Sequence, residues 1–403
     1  MLMAQICALL GFACYAVALT SLQDAWGLSN LQSGLIASAF FFGYILLVPF
    51  ATAMTDRVDA RKIYLFGGVS ASLGLLGMGL FAEGFYSALI FMALNGAGLA
   101  GTYMPGLKIL SDRIEQGELT RHIAFYTAFF GIGVGLSYVC SGWILDAFGW
   151  HWVFLGIALG PLAATSIVYF LIPPLHHERW HGSANIRVHD LFPINKWKMV
   201  LQDKNAAGFI FGYAAHSLEL FASRSWLVAF FAFCASFSGQ SFWLTATTLA
   251  GAINFFGVPS SILGNEIALR VGRQKWICFV MIASAVLGTA LASSTGHSWW
   301  LIVILAIGHT IFIMADSATL TAGLVVSAQD NLKGAAMGLH SLMGFGGGLL
   351  GPAIFGFVLD ISGSRSSQSS WIWAYISIVI WGVFFVFYER QSGWSKKKAI
   401  QQL

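Results

Sequence analysis

Two long apolar stretches of this chain each contain side chains that can bind ligands or carry protons. The first, residues 212–233, holds His216, Glu219 and Arg224. The second, residues 299–326, holds His309 and Asp316. Imidazole and carboxylate groups that are partly shielded from water titrate near neutral pH, which suits them to proton transfer, and a guanidinium group pairs with anions. These residue types therefore predict proton chemistry and the binding of a polar or charged ligand.

The composition of the chain places these residues in a membrane. Hydrophobic residues make up 57% of the sequence, charged residues only 9%, and the mean hydropathy is +0.75. A soluble protein of this length needs far more charge to cover its surface. Charged groups at membrane depth are costly, so they normally face a partner or a watery cavity and mark functional sites. The composition therefore excludes a soluble protein and favours a polytopic membrane protein.

Runs of about 20 apolar residues predict membrane-spanning helices. Twelve such runs follow one another along the chain: residues 3–22, 33–54, 62–82, 87–107, 122–145, 151–173, 206–235, 241–263, 276–293, 299–326, 335–359 and 370–388. The first run lacks a basic start and a small-residue cleavage site, so we expect a retained helix rather than a signal peptide. The predicted fold class is an all-α integral membrane protein with twelve transmembrane helices.

The distribution of Lys and Arg predicts the orientation of these helices. All but two of the 21 basic residues, the exceptions being Arg224 and Arg365, fall on one side of the predicted topology. The positive-inside rule places that side, with both termini, in the cytoplasm, and we expect the membrane to be a bacterial inner membrane. The net charge of +4 is therefore a topology signal and gives no reason to expect a nucleic-acid partner. The five cysteines all lie in apolar runs, so we expect free thiols.

The helices divide into two equal sets around the longest internal connection. We predict an N-terminal six-helix bundle at residues 1–173, a cytoplasmic central loop at 174–205 and a C-terminal bundle at 206–403. The two halves echo each other: Arg57-Val58 recurs as Arg270-Val271, and the segment 142–146 (GWILD) recurs as 356–360 (GFVLD). Parallel repeats of six helices are a transporter architecture with the binding site near mid-membrane. The repeats therefore predict two pseudo-symmetric bundles.

The loop after the second predicted helix carries a recognisable motif. Residues 52–62 (TAMTDRVDARK) resemble the signature loop of the major facilitator superfamily, approximately G-x-L-a-D-R-x-G-R-K. Thr52 and Asp59 stand where that family usually has glycine. The residues that match in this loop and in its second copy are Asp56, Arg57, Arg61, Lys62, Arg270, Gly272 and Arg273. We expect these residues to form a latch that holds cytoplasmic helix ends together; the alternative is that they only anchor the loop.

The resemblance implies alternating access, with helices 1, 4, 7 and 10 lining a cavity. It therefore implies that His216, Glu219, Arg224, His309 and Asp316 surround one space. In the N-terminal half and on helix 8 the candidate substrate-binding residues are uncharged: Tyr15, Asn95, Tyr103 and Asn254. Each of these is as well explained by packing or by a hydrogen bond between helices.

The helix positions predict which of the charged residues carry protons. Glu219 and Asp316 are expected at a similar depth, with His309 two turns from Asp316 on one face and His216 one turn from Glu219. Glu219 and Asp316 are the first candidates for proton coupling, followed by His216 and His309. The structural alternative is a static ion pair between Arg224 and one of the two carboxylates.

Other chemistries have weaker support in the sequence. It has no nucleotide-binding G-x-x-x-x-G-K-[ST] motif, no nucleophile–base pattern and no cofactor fingerprint, so we expect neither an enzyme nor a cofactor or structural metal. His216-x-x-Glu219 with His309 and Asp316 leaves transition-metal transport open. A non-transporting receptor is the least favoured alternative.

The favoured hypothesis is a proton-coupled importer. Arg224 favours a small polar or anionic metabolite as substrate, although a cationic one stays open because two carboxylates accompany that arginine. Helix 5 has the family's glycine-rich pattern, Gly131-x-Gly133-x-Gly135, but lacks the proline associated with exporters, which favours uptake over efflux. The expected partners are the solute, protons and the lipid bilayer, and we expect a monomer.

Overall fold

The computed structural model describes residues 1–55, 57–114, 116–175, 191–363 and 365–392. These residues are almost entirely helical, with no strand among them. Twelve helices are long and apolar enough to cross a membrane, as predicted: α1 Leu2–Trp26, α2 Asn30–Thr55, α3 Ala60–Phe81, α4 Phe85–Ser111, α5 Phe125–Phe148, α6 Trp150–Leu171, α7 Lys204–Ser238, α8 Ala246–Val271, α9 Arg273–Ser293, α10 Trp299–Ser327, α11 Lys333–Ile361 and α12 Gln368–Gln391. The fold class is therefore confirmed.

Local sequence signals set the limits of α7, the longest of these helices. Asp203 caps its start, because the Oδ1 atom accepts hydrogen bonds from the backbone N–H groups of Asn205 at 2.8 Å and Ala206 at 3.3 Å. Such caps satisfy donors that have no partner inside the helix. Gly239 ends α7 in the left-handed conformation with φ +66°, which glycine adopts without steric cost.

Several of the spanning helices are interrupted rather than continuous. In α1 the helical segments Leu2–Leu9 and Cys14–Trp26 are separated by four residues. In α10 the segments Trp299–Met314 and Ser317–Ser327 are separated by Ala315 and Asp316. The length of an apolar run predicts a span but does not predict either interruption. Non-helical backbone at membrane depth requires side-chain partners, which both interruptions have.

The chain forms two compact units. The first contains Met1–Phe192 and Leu244–Phe255, and the second contains Pro193–Trp243 and Phe256–Leu403. The start of α8 thus packs with the first unit, against α5. Within the central connection, residues 176–190 lie outside the described part of the chain, and a short helix, Ile194–Gln202, follows them. The predicted domain limits of 173 and 205 stay a prediction.

Glycines of α11 allow this helix to pack closely on α7 in the second unit. A Cβ atom at Gly347 would lie 2.5 Å from the backbone nitrogen of Leu218, and one at Gly351 would lie 2.5 Å from its carbonyl oxygen. Trp226 adds a hydrogen bond from Nε1 to the carbonyl oxygen of Pro352, at 3.0 Å. Small residues at these positions therefore allow the two helix backbones to pack closely together. All five cysteines are free, which was also predicted.

Candidate functional site: two histidine–carboxylate pairs

The second unit contains two histidine–carboxylate pairs that join α7 to α10. Nδ1 of His216 lies 2.8 Å from Oδ1 of Asp316, and Nε2 of His309 lies 2.9 Å from Oε1 of Glu219. Each helix contributes one carboxylate and one imidazole, and each pair joins a residue of α7 to a residue of α10. All four residues are at least 96% buried. The four titratable residues predicted on these two helices therefore meet as two neighbouring pairs.

The Glu219–His309 pair has its hydrogen bonds satisfied. The hydroxyl of Ser284 on α9 donates to the same Glu219 oxygen that contacts His309. An ionised carboxylate only accepts hydrogen bonds, so in that state Nε2 of His309 carries the proton. Tyr375 of α12 lies edge-on to the imidazole, with 5.9 Å between ring centres. This pair is therefore enclosed by four helices.

Gly288 fixes the position of His309. A Cβ atom at residue 288 would lie 2.7 Å from Nε2 of His309 and 2.9 Å from Cγ1 of Val379. Only glycine leaves space there for the imidazole to reach Glu219. Ser284, Gly288 and Tyr375 are not among the residues predicted from the sequence. The available signal was weak: Ser284 and Gly288 lie four residues apart and thus on one face of α9.

The His216–Asp316 pair is less complete. Although Nδ1 and Oδ1 are close, neither atom has a partner in hydrogen-bond geometry. The contact is therefore one of charge and proximity rather than an aligned hydrogen bond.

The interruption of α10 places Asp316. Trp276 of α9 donates from Nε1 to the carbonyl oxygen of Ala315 at 2.9 Å, which satisfies an acceptor left open by the break. Gly264 of α8 passes so close that a Cβ atom there would lie 2.0 Å from the same oxygen. Asp316 consequently stands at the start of the segment Ser317–Ser327 instead of on a continuous helix with His309. This is why the two α10 residues contact different partners on α7.

The ring of Tyr213 stacks with the rings of two histidines, His216 and His340. The ring of Tyr213 lies 3.8 Å from that of His340 on α11 and 5.6 Å from that of His216, with interplanar angles of 14° and 16°. Nε2 of His340 is 3.1 Å from the hydroxyl oxygen of Thr321. Gly344 of α11 makes room for the stack, because a Cβ atom there would lie 2.3 Å from Tyr213. Tyr213 and Thr321 were missed in the sequence.

Arg224 is also buried in α7, at 8% exposure. It follows Glu219 by five residues, a spacing that does not place two side chains over one another on a helix. The hydrogen bonds and ion pairs described for Glu219 and Asp316 are with Ser284, His309 and His216. The predicted role of Arg224 in binding a solute stays a prediction.

The predicted residues of the first unit bind backbone groups. Asn95 donates from Nδ2 to the carbonyl oxygen of Gly11 at 3.0 Å, inside the interruption of α1. Ser137 accepts from the backbone N–H of Ala13 at 2.9 Å and donates to the carbonyl oxygen of Leu10. These bonds satisfy the broken backbone of α1.

Tyr15, Tyr103 and Asn254 also lie in the first unit. The Tyr15 hydroxyl donates to the carbonyl oxygen of Ser33 at 3.0 Å, and Asn254 donates from Nδ2 to that of Ala250 at 2.9 Å. Tyr103 is half-buried and stacks on Tyr126, with ring centres 6.0 Å apart. The first two side chains thus have structural hydrogen bonds, and substrate binding by these residues stays a prediction.

Of the signature-loop residues, Asp56 lies outside the described part of the chain. Arg61 donates from Nη2 to the carbonyl oxygen of Tyr169 at 2.6 Å, and its guanidinium carbon lies 5.2 Å from the centre of the Tyr169 ring. It therefore caps the carboxyl end of α6. Arg57 is half-buried, whereas Lys62 is exposed.

Asp59 accepts three hydrogen bonds, although it stands where the family usually has glycine. Its carboxylate accepts from the backbone N–H groups of Arg61 at 3.0 Å and Leu175 at 2.9 Å, and from Nη2 of Arg113 at 3.3 Å. Burial alone raises the pKa of a carboxylate. These donors and the guanidinium charge outweigh it and hold the pKa of Asp59 below its usual range. Asp59 thus joins the start of α3 to the residues after α4 and α6.

In the second copy of the loop, Gly272 has φ +97° and separates α8 from α9. Arg270 is exposed, and the buried Nε atom of Arg273 has no hydrogen-bond partner. The latch role of both loops stays a prediction.

A metal centre is not formed by the described residues, where no group of three or more His, Cys, Asp and Glu side chains is arranged to hold an ion. The central-loop histidines, His176, His177, His181 and His189, lie outside the described residues.

Comparisons with known proteins identify the family. The sequence profile of the Major Facilitator Superfamily matches residues 1–352. The chain is 28% identical over 171 residues to Protein spinster homolog 3 of Danio rerio, covering 42% of this chain and 34% of that protein. It is 28% identical over 163 residues to the D-galactonate transporter of Escherichia coli O6:H1, covering 40% and 37%. These alignments span about a third of the length of the curated relatives.

Solved structures agree with the assignment of the fold. The crystal structure of the nucleoside transporter NupG superposes with a TM-score of 0.76 at 14% identity, over 97% of this chain and 98% of that one. Relatives and structural neighbours are membrane transporters rather than enzymes. The chain is therefore an integral membrane protein that belongs to the Major Facilitator Superfamily.

Proposed function

We propose that the protein is a secondary active transporter that works by alternating access and couples proton movement to the uptake of a small polar or anionic metabolite. The observation that carries this proposal is the pair of buried histidine–carboxylate contacts between α7 and α10. Ionisable groups at membrane depth are expensive to keep, and they commonly form proton relays in transporters. The family assignment supports transport as the function, and these contacts are the candidates for coupling transport to proton movement.

Each pair has two protonation states, and the two states differ in how strongly they hold α7 and α10 together. When the carboxylate is ionised, its charge attracts the imidazole of the other helix, and α7 and α10 are joined. When a further proton neutralises the carboxylate, the charge that attracts the imidazole disappears. Since a buried charge left without its partner is costly, the protonation state biases how closely the helices associate. A proton taken up on one side and released on the other therefore has a structural effect.

Arg224 and one of the relatives support the proposed solute class. A buried guanidinium offers planar, bidentate recognition of a carboxylate or phosphate group. One relative is named for D-galactonate, which is a carboxylate anion. We therefore place the anionic group of the solute at Arg224, near the two pairs on the same helix.

Orientation and direction are part of the same proposal. We infer that the protein lies in a bacterial inner membrane with both termini in the cytoplasm, an orientation that the distribution of Lys and Arg supports. The direction is uptake, because the glycine-rich pattern of α5 lacks the proline associated with exporters. Gly133 of this pattern serves close packing, since a Cβ atom there would lie 2.7 Å from Leu9.

The test has two stages that use purified full-length protein. A thermal-shift screen of carboxylates, phosphates, amines, lysolipids and transition-metal ions identifies ligands, because a ligand stabilises the state it binds. Hits are then tested in proteoliposomes with and without an imposed pH gradient. The proposal expects an anionic hit whose accumulation requires the gradient. Solute accumulation that is equal with and without the pH gradient would reject proton coupling. A transition-metal ion as the only ligand found would support the alternative of metal transport.

A further inference from the structure

An apolar groove lies between α9 and α12 in the second unit. Its volume is about 550 Å³, within the range of roughly 300–1,000 Å³ that is usual for ligand pockets. The side chains that line it belong to residues 282–293 of α9 and 376–383 of α12, and they are Ile, Val or Ala except for Thr289 and Ser293. The groove is therefore large enough for a ligand, and its lining favours an apolar one.

The two hydroxyl groups of the lining give the groove no free hydrogen-bond donor. Thr289 donates from Oγ1 to the carbonyl oxygen of Ala285 at 2.8 Å, and Ser293 donates from Oγ to that of Thr289 at 2.9 Å. Each hydroxyl has only one hydrogen, and both are used within α9. A polar solute would lose its hydrogen bonds with water on entering this groove, so the lining suits hydrocarbon.

The two helices meet at both ends of the groove. At one end, Gln368 donates from Nε2 to the carbonyl oxygen of Ser293 at 3.1 Å. At the other end, a Cβ atom at Gly382 would lie 3.4 Å from Cβ of Met281, which is an ordinary packing distance. Between these contacts the lining runs from Ile282 to Ser293, or about 16 Å along the helix. The groove is thus long for its volume and fits an extended chain.

Two exposed tryptophans mark the position of the groove relative to the bilayer. Trp300, at the start of α10, is 63% exposed, and Trp373, near the start of α12, is 57% exposed. Exposed tryptophan is typical of the interface between membrane and water. Both lie on the membrane side where α9 ends and α12 begins. The groove therefore starts near that interface and runs towards the centre of the membrane.

We propose that this groove binds one acyl chain of a bilayer phospholipid, from the leaflet in which α9 ends. The bilayer core surrounds these helices and consists of such chains. A second protein helix fits less well, because a helix about 10 Å wide and 16 Å long fills roughly 1,200 Å³. Within lipid, association depends on close van der Waals packing, which a flexible chain can achieve in a long groove. This inference goes beyond the proposed function and does not depend on proton coupling.

The floor of the groove lies against the residues that position His309. Val379 of the floor and His309 both approach Gly288, since a Cβ atom there would lie 2.9 Å from Cγ1 of the valine and 2.7 Å from Nε2 of the histidine. Ala285, also on the floor, directly follows Ser284, the hydroxyl donor to the carboxylate of this pair. An acyl chain in the groove therefore packs on the outer side of α9 and α12 where they enclose the histidine, and it stabilises their contact.

Photocrosslinking tests the site with full-length protein in nanodiscs of phosphatidylcholine. A small share of the lipid carries a diazirine in its acyl chain, and mass spectrometry locates the adducts after irradiation. Ile304 on α10 is the reference, because it is 63% exposed and lies outside the groove lining. We expect the adduct yield per lining residue to be severalfold higher than the yield at residue 304. Equal yields would overturn the proposal.

A variant that fills the groove tests whether the adducts arise there. Ala290→Phe places a phenyl ring among the lining residues, and Ile304→Phe is the matched control outside the groove. We expect Ala290→Phe to lower the yield of groove adducts severalfold and Ile304→Phe to leave it unchanged. Groove adducts at the wild-type yield in a folded Ala290→Phe protein would overturn the site. If this variant does not fold, the comparison of groove and reference residues within the wild type decides the proposal.

Melting temperatures in detergent test whether the acyl chain stabilises the protein. Phosphatidylcholine added to delipidated wild-type protein should raise the melting temperature, because a ligand stabilises the state it binds. The rise should be at most half as large in Ala290→Phe, in which the ring occupies the groove, and unchanged in Ile304→Phe. An equal rise in all three proteins would overturn the stabilising role of the bound chain.

Discussion

Glu219 on α7 and His309 on α10 meet with 2.9 Å between Oε1 and Nε2, and Ser284 donates to the same oxygen. Three helices therefore depend on one carboxylate oxygen for their polar contact. Neutralising that oxygen weakens both hydrogen bonds at once. This relationship gives the proposed coupling its physical basis, because a single proton changes the contact of α7 with both neighbours.

Replacing Gly288 tests whether the position of His309 matters for coupling. A methyl group at residue 288 would lie 2.7 Å from Nε2, so Gly288→Ala must displace the imidazole from Glu219. We expect gradient-driven accumulation to fall severalfold, measured in proteoliposomes. The melting temperature should also fall, because the clash and the lost contact with Glu219 outweigh the gain of about 1 kcal/mol from alanine in a helix, so solute exchange at equal pH checks that the variant is folded.

Gly338→Ala is the matched control for this variant. Gly338 lies on α11 and has no atom within 4 Å of a Cβ built on it. This control should accumulate solute like the wild type. Equal accumulation by Gly288→Ala and Gly338→Ala would show that the position of His309 does not affect coupling.

Replacing Arg224 tests the solute class. If the guanidinium binds the anionic group, Arg224→Ala should weaken ligand binding by about 2 kcal/mol or more, which is roughly thirtyfold. Arg224→Lys should recover only part of this loss, because a single ammonium group cannot make a bidentate contact. Ligand-induced thermal shifts at several concentrations measure both effects. Unchanged affinity in the alanine variant would assign Arg224 to packing.

Replacing Asp59 tests the junction between the ends of α3, α4 and α6. Asp59→Ala leaves Arg113 and two backbone N–H groups without their acceptor, so we expect a loss of about 2–4 kcal/mol in the free energy of unfolding. The apparent melting temperature in detergent measures the direction of this change. Glu266→Gln, at an exposed position on α8, is the control and should melt like the wild type.

The contribution of Asp59 also depends on pH with a definite sign. Because its folded-state pKa is lowered, the stabilisation is fully present above the unfolded pKa of about 3.9 and is lost as pH falls through the folded value. The difference in melting temperature between wild type and Asp59→Asn should therefore become smaller only when the pH falls below about 3.9. A difference that disappears already near pH 6 would contradict this assignment.

The sequence predicted the helices and the charged residues of the site better than the contacts among them. Apolar run length is a local property, so all twelve spans could be recognised. His216, Glu219, His309 and Asp316 stood out because charge inside an apolar run is rare. Their pairing could not be predicted, since the interruption at Ala315 and Asp316 depends on Trp276 and Gly264 from other helices.

The uncharged residues of the site and the partners that are distant in the chain could not be predicted from the positions of charged residues. Ser284 and Gly288 are common residues in packed helices, and nothing local indicates that one donates to Glu219 and the other makes room for His309. Asp59 was recognised only as a departure from the family motif. Its partners Arg113 and Leu175 are 54 and 116 residues away in the chain, so their contact appears only in the folded structure.

The central claim is tested most directly by solute accumulation in proteoliposomes under an imposed pH gradient. The measurement compares wild type with Glu219→Gln and Asp316→Asn, and solute exchange at equal pH is the control for folding and binding. The account predicts that the wild type accumulates solute above equilibrium, whereas both variants lose gradient-driven accumulation and keep exchange. Accumulation at the wild-type level by both variants would contradict proton coupling through the two histidine–carboxylate pairs.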